Sequence, residues 1–72
     1  MRLSISRHAQ ERMEQRGVSE QEIIQTISAP EVTRPGNQPN RTVYERKIGK
    51  IVCVVTVDDT DPLVIVSAWK RG

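Results

Sequence analysis

A chain of 72 residues can bury only about 60% of the surface its unfolded form exposes, so a single domain over 1–72 with one thin core is expected. One cysteine excludes an intramolecular disulfide, and with one histidine beside it no structural zinc site is expected, so packing or association must hold the fold. A net charge of +2 is too small to identify a nucleic-acid binder by itself, which leaves the placement of the cations to decide.

Arg2 to Ile5 alternates polar and apolar residues and reads as a short strand leading into a helix. Ser6 to Gly17 is that helix, with Ser6 as N-cap, Ala9 and Met13 as its apolar stripe, and Gly17 in the left-handed position that ends it. His8, Arg12 and Arg16 follow at i+4 steps and form one column on its surface. No acid lies three or four residues from Arg12, and the neighbours of Arg16 within the helix are Arg12 and Met13. The column is therefore not neutralised within its own helix. Ser19 and Glu22 match a capping box that starts a second helix, Ile23, Ile24 and Ile27 are its expected inward face, and Pro30 stops it.

Pro30 to Asn40 carries three prolines and a glycine and reads as a loop, either a simple connector or a functional segment. Three strands are expected after it: Thr42 to Ile48, Ile51 to Val57 and Leu63 to Trp69. Gly49-Lys50 reads as a two-residue turn and Asp58 to Pro62 as a polar one. That turn sets Ile48 opposite Ile51, Arg46 opposite Cys53 and Tyr44 opposite Val55. The resulting fold class is α+β, with two N-terminal helices packed on a three-stranded antiparallel sheet and at most a short leading strand. Two short helices cover one sheet face only, so Val52, Val54, Val64 and Val66 are expected together on the uncovered one. A partner, either a second copy or another protein, is the expected cover; the bland alternative is strand propensity alone.

His8 is the only candidate acid or base with an ordinary titration range near neutrality; the competing reading is a surface or packing role. Arg12, Arg16, Arg41, Arg46 and Lys70 are candidates for meeting phosphate oxygens, and Tyr44 and Trp69 for stacking on a base. Against this stand two structural readings: the helix arginines pair with Glu45 or another acid on the sheet, and Trp69 belongs to the core. Cys53, set among valines, is expected to be a buried inert thiol. The acidic stretch from Asp58 to Asp61 lacks the glycine and distant glutamate of a calcium loop and reads as a turn. No metal or cofactor is expected. No apolar run approaches the roughly 20 residues of a membrane span, and the N-terminal residues show no leader pattern, so a cytoplasmic location is expected.

The run HAQERMEQRGVSEQEI, followed by RTVYERKIG and VIVSAWKR, resembles the small bacterial family catalogued as domain-of-unknown-function family 4258, over nearly the whole chain. The order of two helices and then three antiparallel strands is similar to BrnT-like and RelE/ParE-like toxins of toxin-antitoxin pairs. Those toxins commonly cleave RNA or, in the ParE branch, act on gyrase, and a cognate antitoxin holds them inactive.

Two readings are open. In the first the chain is a toxin-like RNA-binding protein or metal-independent endoribonuclease. His8, Arg12 and Arg46 then form the catalytic set, and Arg16, Arg41, Tyr44, Trp69 and Lys70 contact RNA. An antitoxin protein is the implied partner. In the second it is a non-catalytic interaction module, a homo-oligomer or a subunit bound through the apolar sheet face, with structural arginines.

Overall fold

Ser6 and Ser19 set the two helices by local hydrogen bonding. The Ala9 N–H donates to the Ser6 hydroxyl at 3.1 Å and starts α1, Arg7–Arg16, which ends at Gly17 in the left-handed region. The Glu22 N–H donates to the Ser19 hydroxyl while the Ser19 N–H donates to the Glu22 carboxylate, a complete capping box for α2, Glu20–Ser28. The computed structural model describes residues 2–72. No helix among them is long and apolar enough to cross a membrane.

Among the described residues five strands accompany the helices: β1 Leu3–Ile5, β2 Val32–Pro35, β3 Arg41–Ile48, β4 Lys50–Val57 and β5 Leu63–Arg71. They form one sheet in the order β1-β5-β4-β3-β2, with β1 parallel to β5 and the other pairs antiparallel. The class is α+β, but the expected three-stranded antiparallel sheet is corrected to a five-stranded mixed one. The short leading strand is present and takes one edge. The other edge, β2, lies inside the stretch expected to be a loop. Its proline sits at its last residue on an outer strand, where a missing N–H costs little.

The register between β3 and β4 also differs from expectation. Gly49 alone forms the apex at a φ of 74°, so Lys50 pairs with Ile48, Cys53 with Glu45 and Val54 with Tyr44. A slip of one residue exchanges the faces of one strand relative to its partner. The observed register puts Ile48 beside Val52 and Val54 in one core and leaves Glu45 on the other face, where cations meet it.

Both helices lie on one side of the sheet, α1 over β5 and α2 over β3 and β4. Ala9, Val18 and Ile23 pack there on Val52, Val54, Ile65 and Ala68. Val52 and Val54, expected on the uncovered face, are fully buried in this core. Ile24 points outward, and Thr26 takes the buried position instead, its hydroxyl donating to the Glu22 carbonyl at 2.7 Å. Spacing from Ile23 explains this, since i+3 and i+4 share its face and i+1 does not.

A bulge in β5 decides what faces away from the helices. Val55 pairs with Ser67 but Thr56 pairs with Ile65, so Val66 is an extra residue. The bulge lets Ile65 and Ala68, three residues apart, both enter the core. Beyond it Ser67, Trp69 and Arg71 turn to the open face with Val43, Cys53 and Val55.

Gly36 closes the β2–β3 hairpin, its N–H donating to the Arg41 carbonyl at 3.0 Å. A Cβ there would lie 2.7 Å from the Cβ of Arg41. Gly36→Ala is accordingly expected to lower stability by roughly 1–3 kcal/mol, read as a fall in urea midpoint at unchanged slope. An unchanged midpoint would refute the close approach.

Candidate functional site

β1 covers β5 only as far as Ile65, which leaves Val66 to Arg71 without a strand partner on that side. The α1 column runs along this free flank. His8, Arg12 and Arg16 line a shallow cleft of about 210 Å³ with Ser67, Ala68 and Trp69. The Arg12 Nε donates to the His8 Nε2 at 3.5 Å, a long contact. The ion pairs among the described residues are Arg34–Glu45, Arg71–Glu45 and Lys70–Glu22. Arg12, Arg16 and Arg41 take part in none of them.

Glu45 is thus occupied, but not by the helix arginines. Its carboxylate accepts from Arg71 on β5 and from Arg34 on β2, the latter at 3.0 Å. The Arg71 contact crosses β4 above Cys53, and the open face thus holds a buried acid, 3% exposed. The hydrogen bond from Arg71, and after it that from Arg34, hold the Glu45 carboxyl below the usual range although burial opposes them. Cys53 is buried, as expected, and burial pushes its thiol up.

A second hollow lies on the open face across β5 from the cleft. It encloses about 630 Å³ and is lined by Val43, Val55 and Val66 below, by Trp69, and by Gly36, Asn37 and Gln38 of the β2–β3 loop, with Arg34 and Arg41 beside it. Ser67 and Trp69 line both hollows. Arg41 donates to the Asn40 side chain at 2.9 Å.

The expected site is therefore divided. His8, Arg12, Arg16 and Trp69 come together, with Arg41 in the adjoining hollow. Arg46 lies elsewhere and donates to the Ala29 carbonyl at the end of α2, at 2.8 Å, where a cation also suits the helix dipole. Lys70 turns to the helix side and meets Glu22 at 3.2 Å. The Ser19 N–H, and then Lys70, lower the Glu22 carboxyl from its usual range. Tyr44 pairs with Val54 on the helix-facing side, so the two aromatics that are candidates for stacking on a base stand on opposite faces. Register is the cause in each case, because it sets the face on which an alternating residue emerges.

Sequence reasoning missed Arg34, Asn37 and Gln38. Their only signal was the proline-rich stretch itself, which composition marked as a segment able to carry function. In the acidic turn, the Thr42 hydroxyl donates to Asp58, and Thr60 bridges the Val57 carbonyl and the Val64 N–H.

The family model described as a domain of unknown function (DUF4258) matches residues 5–70, which includes every residue of the cleft and of the hollow beside it. No curated protein and no solved structure matches the chain.

Proposed function

The chain belongs to the DUF4258 family, whose description names no activity, and from that premise we propose that it binds single-stranded RNA along the free flank of β5, in the setting of a toxin-antitoxin pair. The observation that carries the reading is the meeting of His8, Arg12, Arg16 and Trp69 in one cleft lined by no acid. Guanidinium groups grip phosphate oxygens through paired N–H donors, and an indole ring half-open to solvent offers a face on which an unpaired base stacks. A duplex keeps its bases stacked on one another, so a single strand suits this ring better.

The toxin setting rests on the sequence resemblance alone. The chemistry it implies is attack of a ribose 2′-oxygen on the adjacent phosphorus, with loss of the 5′-oxygen and formation of a cyclic phosphate. His8 is the base in that step, and Arg12 and Arg16 balance charge on the phosphate. With Arg46 engaged at α2, no second group stands in the cleft to protonate the leaving oxygen, so binding is the primary claim and cleavage the secondary one.

Titration of a labelled oligoribonucleotide of about ten nucleotides, single-stranded and as a duplex, tests the binding claim. Tighter, salt-sensitive binding of the single strand is the expected result, and equal or absent binding of both overturns it. Cleavage is read by denaturing electrophoresis of the same samples, and the toxin setting by growth after induction of the wild type and of His8→Ala. Harmless induction together with intact RNA removes the toxin and ribonuclease parts.

A further inference from the structure

The hollow on the open face has a chemistry of its own. Val43, Val55 and Val66 make an apolar floor, Trp69 stands at one side, and Asn37 and Gln38 line it from the loop. Arg34 is bound to Glu45, while Arg41 reaches only a neighbouring amide. No carboxylate lines the hollow, so nothing there recognises a cation. A wholly apolar guest would leave two amides and the Ser67 hydroxyl without partners. A flat guest with apolar faces and a hydrogen-bonding rim satisfies both the floor and the rim. At about 630 Å³ the space falls within the range of small-molecule sites, whereas the cleft across β5, at about 210 Å³, lies below it.

The two hollows share Ser67 and Trp69, so a strand lying with its phosphate on Arg12 and Arg16 needs only to cross β5 to reach the larger one. We propose that this hollow is a nucleobase subsite, in which one unpaired base seats on Val43, Val55 and Val66 beside Trp69, with its edge met by the amides of Asn37 and Gln38. The assignment rests on the RNA reading for its occupant. An amide offers one acceptor and two donors, the set that meets the amino group and ring nitrogen of adenine together. Arg41 at the side meets the adjoining phosphate.

Trp69 is the only tryptophan in the chain and lines both the hollow and the cleft, so its fluorescence reports on binding at either, and the amide variant separates the two. The probes are adenosine 5′-monophosphate, adenosine and ribose 5-phosphate, each titrated into the wild type, an Asn37→Ala/Gln38→Ala variant and an Arg12→Ala/Arg16→Ala variant. Calorimetry accompanies fluorescence for the baseless probe. Both amides are on exposed residues, and their removal leaves the core intact. Expected results are quenching of Trp69 by adenosine 5′-monophosphate, roughly tenfold weaker binding of it by the amide variant, and unchanged binding of ribose 5-phosphate by that variant. The arginine variant should weaken both phosphorylated probes.

Equal affinity for adenosine 5′-monophosphate and ribose 5-phosphate, with no effect of the amide variant, overturns the base subsite while leaving the RNA reading in place. Quenching by adenosine that the amide variant weakens, with no binding of ribose 5-phosphate or of RNA, supports the subsite and overturns the RNA reading. Absence of binding by all three probes overturns the subsite.

Discussion

The Arg12→Ala/Arg16→Ala variant is expected to bind single-stranded RNA about a hundredfold more weakly than the wild type, at roughly tenfold for each guanidinium withdrawn from phosphate. The salt dependence should change with it. For single strands the slope of log K against log salt is about 0.7 per phosphate neutralised, so with two phosphates no longer neutralised it should flatten by about 1.4. Neither arginine takes part in an ion pair, and alanine is the better helix former, so thermal stability should hold or rise slightly. That separation makes the test clean, because weaker binding cannot then be ascribed to unfolding. An unchanged slope would mean that the column does not touch phosphate, and the proposed function would lose its main support. Arg46→Ala is the matched control. It removes a cation that is bound to the end of α2, and it should cost some stability while leaving the slope alone.

The second large effect concerns stability. Glu45→Gln is expected to lower the unfolding free energy by about 2 kcal/mol at neutral pH, because a buried carboxylate held by two guanidinium groups becomes a weaker acceptor. The figure stays below that for a fully enclosed ion pair, since the side chains of Arg34 and Arg71 are 47% and 55% exposed and water screens them. The pH dependence follows from the direction of the shift. Glu45 titrates lower when folded than when unfolded, so its contribution is fully present above the unfolded value and fades as pH falls through the folded one. Glu22 is shifted the same way and adds to the trend. Urea unfolding at a series of pH values should therefore show the wild type losing stability on the acid side of the usual glutamate range. The gap between wild type and Glu45→Gln should narrow over that interval. A gap that does not depend on pH would show that packing, and not charge, holds this residue. Reaction of Cys53 with a thiol reagent gives an independent reading, since the Arg71–Glu45 contact crosses above it and a looser contact should admit reagent sooner.

Legibility varied with the range of the interactions. Ser6, Gly17 and the Ser19–Glu22 box were readable because each acts on a backbone group within three or four residues of itself. The cationic column was readable for the same reason, and its members do share one cleft. Tyr44, Arg46 and Lys70 emerge on the helix-facing side, apart from Trp69, and that side was not readable. From Ile51 to Val57 nearly every residue is apolar, so alternation gave no clue to which side the helices cover. Val32 and Thr33 have strand character, but prolines on both sides of them concealed an edge strand of only four residues.

The sequence by itself determined two capped helices, three strand segments and a helix face bearing His8, Arg12 and Arg16, all of them set by contacts along a few residues of chain. Only the tertiary structure decided that Gly49 stands alone at its turn, that Val66 bulges, and that Glu45 and Trp69 consequently emerge on the face the helices leave open. The reason is that strand faces alternate with a period of two, so a single residue of slip or insertion reverses them, and that residue is selected by packing between distant segments. The candidate site depends on that reversal, because Trp69 joins the column from α1 to the open face only where β5 has turned over.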